Sequence, residues 1–200
     1  MKIELRDDKV ILDGYVNAVA RDSKPILDEN GEKFVEQIMP KTFQRALEKT
    51  DEVLCLLDHI RSRILGSTKQ GNIDLFEDNI GLRAICEITD EEVIKKAGEE
   101  KLKGWSFGFE LLKSREEPAG DNLKRRFVED LNLLEVSIID DRSTPAYIGT
   151  SIETRADKEY RIEYRSVNFK PKIIDLRQAK PIDYSKYLNI IKKLGGTKNG

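Results

Sequence analysis

The chain has 200 residues, enough for one domain of ordinary size with an appendage. Charged residues make up 36% and hydrophobic residues 38%, so a core can form beneath a heavily charged surface. The formal net charge is -2, which argues against a general grip on nucleic acid, and no apolar run is long enough to span a bilayer.

The opening residues, 1–8, carry no apolar stretch of the kind that begins a secretory leader. Residues 2–6 and 10–20 read as a hairpin turning at Asp7-Asp8. Residues 21–33 are polar, contain Pro25 and Asn30-Gly31, and read as a loop before a short strand at 34–38. Pro40 suits the first turn of a helix running to about Lys49, with Phe43, Ala46 and Leu47 on one face. Residues 53–59 form a buried strand, and 63–67, 73–76 and 82–88 continue the sheet. Thr89 and Glu92 have the spacing of a capping box and open a helix from about Asp90 to Leu102. Residues 105–112 are a strand, 113–124 a polar loop with Pro118 and Gly120, and 125–129 and 131–139 the last strands of the core. Beyond about Thr150 the character changes. Residues 151–170 are dense in charge and tyrosine without a period, and 183–194 read as a short amphipathic helix. The expected architecture is α+β: a mainly antiparallel, barrel-like β core over residues 1–150 with a few flanking helices, then a charged tail over 151–200.

Two cysteines, Cys55 and Cys86, lie in apolar runs and read as buried free thiols. With one histidine and two separated cysteines the usual zinc spacing is missing, so neither metal nor cofactor is expected.

The chemistry concentrates in three segments. The single histidine, His59, closes the apolar run from Val53, and Ser106 sits inside Gly104-Trp105-Ser106-Phe107-Gly108-Phe109. Strand alternation puts Trp105, Phe107 and Phe109 on one face and Ser106 and Gly108 on the other. Three aromatics can thus anchor the strand while Ser106 faces away, with Gly108 leaving room above it. A serine nucleophile needs a base that titrates near neutrality, and His59 is the one imidazole available. The competing readings are a serine bonded to a neighbouring loop and a hydrogen-bonded histidine at a strand end.

A third group should hold the imidazole. Asp58 is adjacent but, as a strand neighbour, should point the other way. Glu135, inside Leu133-Leu134-Glu135-Val136-Ser137-Ile138-Ile139, is a carboxylate that is costly to bury unless paired. It serves either the histidine or a structural salt bridge. Ser137 shares its face, could bond to it, and competes as a nucleophile. Arg142 lies where it could reach the site, although an ordinary surface arginine is the simpler reading. The Gly-x-Ser-x-Gly elbow of serine esterases is absent.

Taken in order, these segments resemble the phage prohead proteases, capsid-maturation serine proteases with an assemblin-like fold. The resemblance covers residues 10–150. It runs through Gly14-Tyr15, the stretch Phe34 to Phe43, Leu57-Asp58-His59 with Ile64-Leu65-Gly66-Ser67-Thr68, Asp78-Asn79-Ile80-Gly81-Leu82, Ser106-Phe107-Gly108-Phe109, Leu134-Glu135-Val136-Ser137 and Pro145-Ala146-Tyr147. Lys41 stands where glycine is common, and Ile60 where an aspartate often follows the histidine. The resemblance implies Ser106 as nucleophile, His59 as base and Glu135 as third member. It implies the major capsid protein, scaffold segments and the chain itself as substrates, inside a procapsid assembling in the bacterial host cytoplasm. A homo-oligomer is compatible with it; nucleic acid and membrane partners are not expected. Residues 151–170 read as a natural self-cleavage region. The alternative is a catalytically silent capsid scaffold or assembly module.

Overall fold

A computed structural model describes residues 1–28, 30–120, 123–142, 150–155, 158–168 and 170–177. In chain order the elements are β1 (Lys2–Leu5), β2 (Val10–Ala18), β3 (Ile26–Leu27), β4 (Lys33–Ile38), α1 (Thr42–Lys49), β5 (Leu54–Leu57), β6 (Ile60–Ser67), β7 (Ile73–Glu77), β8 (Gly81–Ile88), α2 (Glu91–Gly98), β9 (Gly104–Pro118), β10 (Lys124–Ile139), β11 (Thr150–Arg155), β12 (Lys158–Asn168) and β13 (Lys172–Asp175).

The strands form two sheets. One has the order β13-β1-β2-β8-β7. The other runs β11-β12-β9-β10-β4-β3, with β5 joining beside β10 and β6 beside β5. Pairing is mainly antiparallel; β1 with β13, β10 with β4 and β10 with β5 are parallel. The α+β, mainly β expectation therefore holds, but the barrel-like closure does not: no closed barrel forms among the described strands. A bridge between Val19 and Ile38 joins the sheets at one corner. Side chains from both sheets and both helices meet in one core, which includes Leu12, Phe43, Ala84, Val93, Trp105, Phe107, Val136 and Ile138.

Three local readings change. The segment 113–124 is a hairpin rather than a polar loop, since β9 extends to Pro118 and β10 begins at Lys124. It shows little apolar alternation because its strands are held by the backbone ladder and by pairs such as Lys113–Glu129 and Arg115–Glu129, with Arg115 over the Phe127 ring at 3.9 Å. Helix α2 is capped by Asp90, whose side chain accepts from the Val93 N–H, rather than by Thr89, and it ends at Gly98. Helix α1 starts at Thr42, and the residue before it, Lys41, has φ 67°. That left-handed conformation suits glycine, the residue common at this place in the resemblance.

Strand pairing also continues past residue 150. β12 lies along β9, and β13 lies along β1. The stretch 151–170, expected as a loose tail, thus contributes strands to the same sheet that carries Ser106. The helix expected at 183–194 lies outside the described residues.

Candidate active site

β9 is flanked by β12 on one side and β10 on the other, and the register sets the site. Ser106 lies opposite Ser166 of β12 and Ser137 of β10; Gly108 lies opposite Tyr164 and Glu135. Directly paired residues share a face, so Ser166, Ser106, Ser137, Tyr164, Gly108 and Glu135 all project to one side. The other side carries Trp105, Phe107 and Phe109, each fully buried, with the Phe107 and Phe109 rings stacked at 5.3 Å. The alternation read from the sequence is therefore the one adopted.

Glu135 reaches this face through an irregularity. The β9–β10 register slips between Leu133 and Glu135. Leu133 opposes Phe109 on the aromatic side, and the extra residue turns Glu135 to the Gly108 side. Its carboxylate is buried but satisfied. Oε1 bonds His59 Nδ1 at 2.7 Å, and Oε2 accepts from the Ser137 hydroxyl at 2.5 Å. This is the histidine-holding arrangement rather than a bridge to lysine or arginine. An ionised carboxylate only accepts, so Nδ1 carries the proton and the free lone pair of the neutral ring falls on Nε2.

His59 occupies a tight turn, not a strand end. Leu57 pairs with Ile60, leaving Asp58 and His59 as a two-residue connection between β5 and β6. Both have positive φ, 52° and 61°, as a primed hairpin turn requires. β10 pins the turn: the Asp58 N–H donates to the Ile138 carbonyl at 2.9 Å and the His59 N–H to Ser137 Oγ at 3.2 Å. Asp58 is directed away from His59, as expected, and its Oδ1 accepts from the Asp140 N–H at 3.0 Å.

Beyond the turn, buried Asp140 bonds Lys96 and Arg142. Burial alone would raise the Asp140 pKa, but these bonds outweigh it and hold the carboxyl at about 2. Arg142 pairs with Asp140 at 2.8 Å and Glu92 at 3.0 Å, so its guanidinium serves this network. The network ties α2 to the end of β10 and supports the histidine turn from behind.

Ser106 departs from expectation in one respect. It faces the Glu135 side but is fully buried. Its Oγ donates to the Arg165 carbonyl at 2.8 Å and accepts from Ser166 Oγ at 3.0 Å. The structure thus joins His59 to Glu135 directly, and sets Ser106 on their face with its hydroxyl proton given to β12.

The space over Gly108 is also filled. A Cβ there would lie 2.7 Å from Glu135 Oε1 and 2.9 Å from Tyr164 Cε1. The glycine makes room for the carboxylate and the tyrosine, not for an open cleft. The Tyr164 ring meets the His59 ring edge-on, centroids 4.5 Å apart.

The sequence reading missed Tyr164, Arg165 and Ser166. Their only signal was a tyrosine- and charge-rich stretch. Their neighbour Glu163 explains why they read as solvated. On the aromatic side of the sheet, Glu163 and Arg165 join Glu36 and Arg126 in a buried cluster. Burial pushes the Glu163 pKa up, but Arg126 and Arg165 outweigh it and bring it below the usual carboxylate range. Arg126 is likewise pushed down by burial and raised more by Glu36 and Glu163.

Cys55 and Cys86 are buried free thiols, and the Cys55 thiol is pushed well up by its bond to Cys86 and by burial. Among the described residues no cluster of histidine, cysteine and carboxylate side chains could hold a metal ion, and no helix is long and apolar enough to cross a membrane.

The Ser106 hydroxyl, the His59 imidazole and the Glu135 carboxylate thus lie on one side of a β sheet. The family model for the caudovirus prohead serine protease matches residues 1–163, and the chain belongs to that family. It is a family of serine proteases of phage capsid maturation. No curated protein and no solved structure matches the chain.

Proposed function

We propose that this chain is an endopeptidase in which Ser106 is the nucleophile, His59 its general base and Glu135 the group that orients the imidazole. The observation that carries this reading is the His59 Nδ1–Glu135 Oε1 bond on the sheet face that also holds Ser106. His59 Nε2 takes the Ser106 proton as Oγ attacks the scissile carbonyl. The imidazolium, stabilised by Glu135, then gives that proton to the leaving amine. Water, activated by the same ring, hydrolyses the acyl-enzyme. Ser137 holds the second Glu135 oxygen and the His59 backbone, so it serves as a positioning residue.

Family membership supports the major capsid protein and scaffold segments as substrates, within the assembling procapsid, and supports an assemblin-like fold and a catalytic unit built mainly from residues 1–150. Self-cleavage belongs to the same proposal. Co-expression with a phage major capsid protein and its scaffold protein tests it. Wild type should shorten them, whereas Ser106→Ala and His59→Ala should leave them intact, because the two residues act as a unit. Intact mass of wild type beside Ser106→Ala reads self-cleavage; no serine-dependent shortening of chain or partners counts against the proposal.

One observation favours a second reading, a catalytically silent capsid module: the Ser106 hydroxyl is buried and given to the Arg165 carbonyl. Unchanged partners in the presence of wild type would support it.

A further inference from the structure

We propose that the edge of β9 is the groove in which a substrate strand is held, and that β12 fills it in the resting chain as a built-in, displaceable occupant. This rests on the assignment of Ser106 as nucleophile. It adds how the site is closed and what opens it.

Extended peptides bind to sheets by adding a strand to a free edge. On the side of β9 away from β10 that edge is taken by β12, paired antiparallel from Ile162↔Glu110 to Asn168↔Gly104. The pairing runs across the nucleophile, since Ser166 is directly opposite Ser106. The occupant also engages the reactive groups. The Arg165 carbonyl takes the Ser106 proton that His59 would need, and the Tyr164 ring lies against His59. A strand that only completed a sheet would not need to use both.

On the aromatic side of the sheet β12 is held by charge, while Ile162 is buried on the opposite side. Glu163 and Arg165 reach the aromatic side, where Arg126 donates to Glu163 at 2.5 Å and Arg165 donates to Glu36 at 2.8 Å. Arg165 also lies 5.3 Å from the centre of the Phe109 ring. Glu36 and Arg126 belong to β4 and β10 and bond each other directly. They stay neutralised when β12 leaves, so departure strands no lone buried charge in the groove. A cluster of this kind selects its occupant: the groove favours a strand with an acid and, two residues on, a base. It exchanges one strand for another more readily than an apolar seam would.

Thiol accessibility reads occlusion without needing catalysis. Ser106→Cys places a thiol at the covered position, and the alkylated peptide is identified by mass against buried Cys55 and Cys86. Iodoacetamide should react slowly with Ser106→Cys. It should react at least tenfold faster with Ser106→Cys/Glu163→Lys, in which a third cation faces Arg126 and Arg165. Should that variant fail to fold by circular dichroism, Glu163→Gln in its place should give a smaller rise. Equal rates in a folded variant overturn the proposal.

A synthetic peptide of residues 158–168 should slow alkylation of the released variant. No protection at millimolar peptide overturns the groove. A fluorophosphonate probe on Glu163→Lys with Ser106 intact separates the two claims. Faster labelling of Ser106 than in wild type supports both. An exposed thiol in the cysteine variant but no labelling of the serine sinks the nucleophile assignment and leaves the displaceable strand standing.

Discussion

β9 and β12 lie side by side over the same face, yet they are held in opposite ways. β9 presents three fully buried aromatics to the core, and its place follows from that apolar burial. β12 presents Glu163 and Arg165 to the same side and depends on partners supplied by β4 and β10. Apolar burial is non-directional and hard to undo locally. A buried ion cluster is upset by the loss of a single charge, because that leaves another uncompensated, whereas an acid and a base that leave together do not. The proposed nucleophile therefore rides on the firmer strand, and the group covering it rides on the conditional one.

Five experiments bear on this contrast. Phe107→Ala should cost about 3–5 kcal/mol of global stability in denaturant unfolding, since the ring packs against Phe43 and Phe109. A loss below about 1 kcal/mol would mean that β9 is not the anchored partner. Gly108→Ala should cut peptide hydrolysis at least tenfold with a much smaller loss of stability, because the methyl displaces Glu135 or Tyr164 rather than core side chains. Normal turnover would show that the carboxylate need not sit where it does.

Acid should separate the strands. The folded pKa of Glu163 lies below its unfolded value, so its contribution is present above that value and fades as pH falls. Hydrogen exchange should show residues 162–167 losing protection below about pH 4.5, near the usual glutamate value, while those N–H groups of 105–109 that donate to β10 keep theirs. Loss of both strands together would end the distinction. The Asp140 contribution fades in turn as pH falls from its unfolded value towards about 2, so Asp140→Asn should flatten the acid limb of stability there. The smallest effect is a control outside both strands. Lys41→Gly relieves a left-handed backbone and should raise stability by about 0.5–1 kcal/mol. It should leave the contrast between β9 and β12 unchanged.

The legibility of the two strands follows the same division. Trp105, Phe107 and Phe109 alternate with Ser106 and Gly108, and that period alone placed the serine on the opposite face. Glu135 was legible as a carboxylate too costly to bury alone, and Asp58 as a residue aimed away. The 113–124 hairpin was not legible, because its strands pair through charge and backbone. Nor was β12: Glu163 and Arg165 read as solvated until Glu36 and Arg126 are seen beside them, some 130 and 40 residues distant in sequence.

The residue order by itself determined the candidate groups, because one imidazole and one aromatic-flanked serine leave few choices and side-chain alternation is a local property of strands. Tertiary structure alone decided that a register slip turns Glu135 towards the Nδ1 of His59, and that Ser106 lies covered by β12. Those outcomes depend on which strands become neighbours and in what register, and such pairing is fixed by contacts between distant segments.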